Sequence, residues 1–477
     1  MVTGSKNKLK LFVENFIIYG FGGIISKIIP LIMVPVVTRI MPGTEYFGIS
    51  DLSNTVVNFC SSVAIMGMYD AMYRLFFDSE DENYKRSVCS TALIITMETS
   101  LVIFCVMLLL RDMIARYFFG NPGYAYIVYL SAMATLVGAT NSIISAPVRM
   151  QNKRKIFLLA NSISPILSYA ISIPLLLKGY YVIALPVAAV VSGITLEVVF
   201  YIINREWFNY QCFDKKLLKP LFNIAIPLLP NFLIYWIFNS CDRVMIANMM
   251  GVRFAGIYSV GAKLGHVSQL IYTAFAGGWQ FFAFSTMNEK KQVENNSRIF
   301  EYLGILSFIT TSFICAWSYL IYRVLFPEQY LSGYVVAPYL FLAPLLQMLF
   351  QVAANQFLVI KKTWPNMLIL ATGAILNIIV NWLLIPLLGM EGASLATLIG
   401  YIVSDVICVA VLCKMNLMVR SNRLIISSML MLLYLIIWRL FFSKEIMKGM
   451  LFSLVLLLIE AIMYRKDLLN FWKIIRG

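Results

Sequence analysis

Lys27, Asp242, Arg243 and Lys263 each interrupt an apolar stretch long enough to cross a bilayer. A charge in such a place costs about 2.5–3.5 kcal/mol on insertion scales, and it is tolerated where the side chain faces a bundle interior or a wet cavity. Three of the four are cations, which points to an anionic ligand. Arg243 lies eight residues before the turn at Gly251, and Lys263 lies seven after Gly256. At 1.5 Å per residue both sit roughly 10–12 Å inside the same membrane face. Lys27, fifteen residues before Pro42, is roughly 22 Å deep. A guanidinium donates a bidentate pair of hydrogen bonds to a phosphate, whereas an ammonium acts as a point charge. The expectation is therefore a cationic cavity reached by Lys27, Arg243 and Lys263. A structural ion pair with Asp242 is the other reading of Arg243, although neighbours on a helix point about 100° apart.

Other side chains could serve the same cavity. Arg74, within a turn or so of Asp70 and Tyr73, is placed to meet an anion as it enters or to anchor at the headgroups. Asp242, His266, Glu98 and Asp405 are candidates for a coupling ion. His266 follows Lys263 by about one turn on one helix face, and its imidazole titrates near neutrality. Glu197 and Glu460 are further intramembrane acids. Each of these groups is also readable as a paired or interfacial residue. Pro227 and Pro230 should break the hydrogen-bond ladder of their helix. The acidic run Asp78-Ser-Glu-Asp-Glu82 reads as a solvated loop, with magnesium binding the sharper alternative. Eight cysteines without a Cys-x-x-Cys pair give no reason to expect a metal, a disulfide or a cofactor. No Gly-x-x-x-x-Gly-Lys motif occurs, so ATP would need a second chain.

The elements that hold these residues are membrane helices. The chain is 60% hydrophobic and 13% charged, where soluble domains carry about 45–50% and 25%. Its mean hydropathy is +0.81. Apolar runs near the roughly 20 residues a span needs recur from end to end, giving an all-α polytopic bundle of about 14 transmembrane helices. The opening apolar stretch is too long for a cleavable signal and lacks a small-residue cleavage site. Most of the 38 Lys and Arg crowd alternate loops, which sets both termini on the cytoplasmic side. The net charge of +15 is thus topological, and no nucleic-acid partner is implied.

An internal repeat organises the spans. Met41-Pro-Gly-Thr-Glu-Tyr-Phe-Gly-Ile49 returns as Met249-Met-Gly-Val-Arg-Phe-Ala-Gly-Ile257, and Ile173-Pro-Leu-Leu176 returns at nearly the same offset as Ile385-Pro-Leu-Leu388. These echoes divide the chain into a six-helix lobe at 1–208, a second at 209–414 and two additional helices at 415–477. Paired lobes of this kind are a transporter architecture with the substrate near the midplane.

The same segments carry a resemblance. Thr38-Arg-Ile-Met-Pro-Gly-Thr-Glu-Tyr-Phe-Gly48 and Gly67-Met-Tyr-Asp-Ala-Met-Tyr-Arg-Leu-Phe-Phe77 open it. Ile226-Pro-Leu-Leu-Pro-Asn231, Ser240-Cys-Asp-Arg-Val-Met245, Gly256-Ile-Tyr-Ser259 and Gly278-Trp-Gln280 continue it, and Gly389-Met-Glu-Gly-Ala-Ser-Leu-Ala-Thr-Leu-Ile-Gly-Tyr401 closes it. Together they resemble bacterial polysaccharide-repeat-unit flippases, the Wzx-like proteins of the multidrug/oligosaccharidyl-lipid/polysaccharide exporter superfamily. Gln280-Phe-Phe282 departs from it, since many relatives have a proline after the tryptophan. The resemblance implies a non-enzymatic, two-lobed exporter of the bacterial cytoplasmic membrane that serves capsule or O-antigen assembly. Its cargo would be an undecaprenyl-diphosphate-linked oligosaccharide, turned over by alternating access and coupled to H+ or Na+. Membrane lipids, a glycan polymerase and glycosyltransferases would be its partners. Arg74 matches the family's arginine at that position. The alternatives are an exporter of another lipid-linked precursor or of drugs, or a polytopic glycan polymerase. Three intramembrane cations disfavour a cationic drug, and the outer loops lack the length or acidity of a polymerase site.

Overall fold

The computed structural model describes residues 28–469 except 288, 290 and 363. Eleven helices among them are long and apolar enough to cross a membrane, and Ile28–Ile40 (α1) is a shorter apolar helix. The bilayer core leaves no water for stray backbone groups, so these apolar runs close their hydrogen bonds within each helix. Two further expected spans fall below that length or hydropathy. One is Thr44–Ile65 (α2). The other is interrupted at His266-Val267 into Val252–Gly265 (α12) and Ser268–Ser285 (α13). The first expected span, residues 13–37, begins outside the described residues.

The chain forms two compact units, 1–259 and 260–477. In the first, α2 leads through a turn at Met66-Gly67 to Met68–Phe76 (α3). Glu82–Leu109 (α4) starts on Asp81, whose carboxylate accepts from Asn83 N at 3.1 Å, a side-chain cap of the usual kind. Arg111–Phe119 (α5), Ala125–Met150 (α6), Arg154–Leu177 (α7) and Ala184–Asn204 (α8) follow. Helix α6 is the hub, packed on α2, α4 and α8. Lipid gives helices no hydrophobic reason to associate, so small residues and interhelical hydrogen bonds do the work. Ser53 and Ser131 pair at 2.8 Å between α2 and α6, and Asn204 donates to Ile144 O at 2.8 Å between α8 and α6.

The stretch from 215 to 249 shows the proline effect. Leu218–Ala225 (α9) gives way to a 3-10 turn at Ile226–Leu228, then to Leu229–Trp236 (α10), a π turn at Ile237–Cys241 and Asp242–Met249 (α11). Pro227 and Pro230 remove two backbone donors there. The tightened turn also admits Gly67, whose φ is +78° and where a Cβ would come 2.6 Å from Ala225 O.

The second unit is built round Val336–Val359 (α15), a mostly apolar helix that is buried along almost its whole length, as a core helix should be. Gln292–Leu325 (α14), Met390–Lys414 (α17) and α13 pack on it, and Trp364–Leu388 (α16) packs on α17. The last two helices, Asn422–Ile437 (α18) and Ile446–Met463 (α19), join this unit through buried polar groups. Tyr434 donates to Ser312 O at 2.9 Å, and Ser453 donates to the same carbonyl at 3.0 Å.

Candidate functional site

Arg243 is 8% exposed and does not pair with its neighbour. Its Nε lies 2.9 Å from Asp51 Oδ2 on α2, and its Nη1 donates to the carbonyl of Asn239 one turn back. Asp242 points elsewhere. One carboxylate oxygen accepts the backbone N–H of Arg243 at 2.9 Å, and the other accepts the Tyr258 hydroxyl of α12. The roughly 100° between successive helical side chains thus sends the two charges to different helices. Asp51 takes a second donor, Ser259 Oγ, at 2.7 Å. All five side chains are buried.

Local sequence makes this assembly possible. The π turn at Ile237–Cys241 adds a residue to the helix just before Asp242, and such insertions rotate the side chains that follow and recur at functional sites. Across from it, α2 and α12 cross with backbones in contact. A Cβ on Gly256 would overlap the Thr44 carbonyl and sit 3.0 Å from Gly48 N, and a Cβ on Gly48 would sit 2.9 Å from Gly256 N. Thr44 Oγ1 donates to Arg253 O at 3.0 Å beside this crossing. Gly48 and Gly256 are the equivalent glycines of the repeated turn, and Asp51 and Ser259 are equivalent at the same spacing of 208 residues. The two copies of the motif therefore pack on each other, and their third residues after the glycine bond to one another.

Arg74 is exposed and paired with Asp78 one turn on. Lys263 is exposed on α12, and His266 is half-buried in the turn that ends it. Glu98 is exposed on α4 and lines a pocket of about 340 Å³ with Thr140 and Tyr210, while Glu197 accepts from Thr140 at 2.5 Å. Glu460 accepts from Ser427 at 2.8 Å. Asp405 is buried among apolar side chains of the second unit. Lys27 lies outside the described residues. In the acidic loop, Glu80 is 2.7 Å from Lys85, whose hydrogen bond and charge hold that carboxyl below the usual range; Asp78 and Asp81 are taken up by Arg74 and the α4 cap. Among the described residues no cluster of His, Cys, Asp and Glu is arranged to hold a metal.

Sequence reasoning missed Asp51, Tyr258 and Ser259. The repeat carried the signal for two of them, because it aligns Asp51 with Ser259 on faces that the paired glycines force together.

The profile of a family described as polysaccharide biosynthesis protein matches residues 36–335. No curated protein matches the chain by sequence at a significant level. Among solved structures, the chain is similar to the lipid II flippase MurJ in an inward closed conformation. The TM-score is 0.72 at 15% identity, over 96% of this chain and 99% of that one. It is also similar to an inward-facing multidrug resistance MATE family transporter of the MOP superfamily, with TM-score 0.64, 14% identity and coverage of 82% and 94%. A MOP superfamily transporter from Pyrococcus furiosus, described as having a binding pocket of reverse polarity, gives 0.58 at 14% identity over 85% and 95%.

Proposed function

Because the chain belongs to the polysaccharide biosynthesis protein family and is a multi-pass membrane protein with the fold of MOP superfamily transporters, we propose that it flips undecaprenyl-diphosphate-linked oligosaccharide repeat units across a bacterial cytoplasmic membrane. The observation that carries this reading is the family match, which spans both copies of the repeated turn. The intramembrane cations support an anionic cargo. In this reading Lys27, Arg243 and Lys263 meet the diphosphate within the membrane and Arg74 meets it at the inner face.

Arg243 can do so only by exchanging partners. Its guanidinium is already paired with Asp51, and a phosphate, like a carboxylate, can accept two parallel N–H bonds from a guanidinium. Cargo binding would therefore release Asp51, with Ser259 still donating to it, and loosen the hold of α11 on α2. This links cargo occupancy to helix rearrangement, as alternating access requires. Asp242, His266 and Glu98 are the groups at which an accompanying H+ or Na+ would act. A glycan polymerase and glycosyltransferases would use and supply the lipid-linked repeat unit.

The test follows lipid-linked repeat units in cells whose own flippase is deleted and replaced by this chain. Wild type should clear the accumulated precursor, Arg243→Lys should clear it partly, and Arg243→Ala should fail at equal membrane abundance. Unaltered accumulation with the wild-type chain would overturn the cargo assignment, and full activity of Arg243→Ala would overturn the role of the guanidinium.

A further inference from the structure

The second unit holds a cavity of about 530 Å³ between α14, α15, α17 and α18. Its walls are apolar side chains such as Phe300, Phe308, Leu346 and Met431, and its inner margin is formed by Val419, Arg420 and Ser421. One acid lines it. Asp405 is 8% exposed, and neither of its carboxylate oxygens has a hydrogen-bond partner. It lies nine residues before the inner end of α17 at Lys414, hence about 13 Å from that end.

A buried carboxylate with no partner is costly, and native structures rarely leave one without a reason. The other polar groups of the cavity do not supply the partner. Ser297 donates to Val293 O and accepts from Val419 N, Ser421 accepts from Leu424 N, and Ser428 donates to Leu424 O. Arg420 is exposed at the margin, and Arg423 of α18 and Glu301 of α14 are committed to each other at 3.3 Å, with Arg423 also held by Asp467 at 2.6 Å. Cys408 and Cys413 follow Asp405 on α17. A hard inorganic cation needs several oxygen ligands and would find one carboxylate here. A bound proton would remove the charge but leave the carboxyl without hydrogen bonds.

We propose that this cavity is a binding site for a hydrophobic monoamine, with the ammonium on Asp405 and the apolar body against the walls of α14, α15, α17 and α18. An alkylammonium supplies both the missing charge and up to three N–H donors. The volume lies in the range of small-molecule pockets, which are mostly apolar with a few orienting polar groups. The site is independent of the diphosphate reading, since it uses neither Arg243 nor any of the other cations assigned there.

The test is equilibrium binding of radiolabelled 3,3-diphenylpropylamine to the purified full chain in phosphatidylcholine nanodiscs, with empty discs subtracted. Saturable binding is expected, weakened about tenfold or more by Asp405→Asn, because a charged hydrogen-bonded partner is lost. The alcohol 3,3-diphenylpropanol should compete far less well than the unlabelled amine. Val409→Trp, which fills the cavity from a half-buried position, should abolish binding while leaving Asp405 in place. Equal affinity in Asp405→Asn, equal competition by the alcohol, or a cavity filled by copurified phospholipid with no saturable amine binding would each overturn the proposal. If Asp405→Asn fails to fold, the Val409→Trp variant and the alcohol competition decide the question alone.

Discussion

Removing Asp51 should destabilise the protein far more than removing Asp51 and Arg243 together. The pair is 2.9 Å apart, with side chains 9% and 6% exposed, so solvent screens it little. Breaking a buried pair from one side leaves the other charge uncompensated and typically costs about 3–5 kcal/mol, whereas replacing both partners is often near neutral. Asp51→Ala strands the guanidinium, which keeps only the Asn239 carbonyl, and it also leaves Ser259 without its acceptor. Arg243→Ala strands Asp51, but Ser259 still donates to it, so the loss should fall toward the lower end of that range. The double variant should recover much of the deficit, so the two single losses should together exceed the double loss by roughly 4 kcal/mol or more in a double-mutant cycle. Thermal unfolding of each purified variant in one detergent measures stability, and precursor accumulation in cells measures transport. The two readouts separate structure from cargo: the double variant should be folded yet inactive, because it lacks the guanidinium. Additive destabilisation with no coupling would refute the pairing argument. Restored transport in the double variant would show that Arg243 serves Asp51 alone.

Gly256→Ala should force α2 and α12 apart by about 1 Å, an overpacking that costs roughly 1–3 kcal/mol, and Gly48→Ala combined with it should add little, since both open the same crossing; thermal midpoints of the two singles and the double check this. Arg439→Ala removes a 2.6 Å ion pair to Glu391, which also accepts from Tyr339 at 3.1 Å. Because the arginine side chain is 40% exposed, the expected loss is under about 1 kcal/mol, visible as faster hydrogen exchange at the C-terminal end of α18. Tyr434→Phe deletes the hydroxyl that bridges Ser312 and Ser453 and should cost about 0.6–1.7 kcal/mol, read as a lower midpoint with wild-type precursor clearance.

Hydrophobic runs and proline placement made much of the architecture readable, because in lipid a helix is the only way to close the backbone of an apolar segment. The break at Ile226–Leu228 was foreseen for that reason: the two prolines delete donors whatever surrounds them. The π turn at Ile237–Cys241 was not, since nothing in Ile-Phe-Asn-Ser-Cys distinguishes one extra residue in a turn from a regular one. The interruption between α12 and α13 at His266-Val267 is likewise set by packing. A Cβ on Gly265, just before it, would lie 2.6 Å from Leu340 Cβ, a constraint that local composition does not carry.

The site was legible in part for a different reason. Apolar context marks a charge as unusual, and it singled out Asp242 and Arg243, but hydropathy has no term for which partner a charge finds. That partner is a helix-crossing property, and only the repeat encodes it. Two glycines at equivalent positions permit backbone contact between α2 and α12, and once the backbones touch, the residues three further along each helix must face one another. A duplication that had kept the same residue at both places would set like against like. Here one copy has Asp51 and the other Ser259, so the contact is an acceptor facing a donor, and the carboxylate has a lone pair left for Arg243. The divergence of the two copies at this position is what gives the helix crossing a buried acceptor for the Arg243 guanidinium.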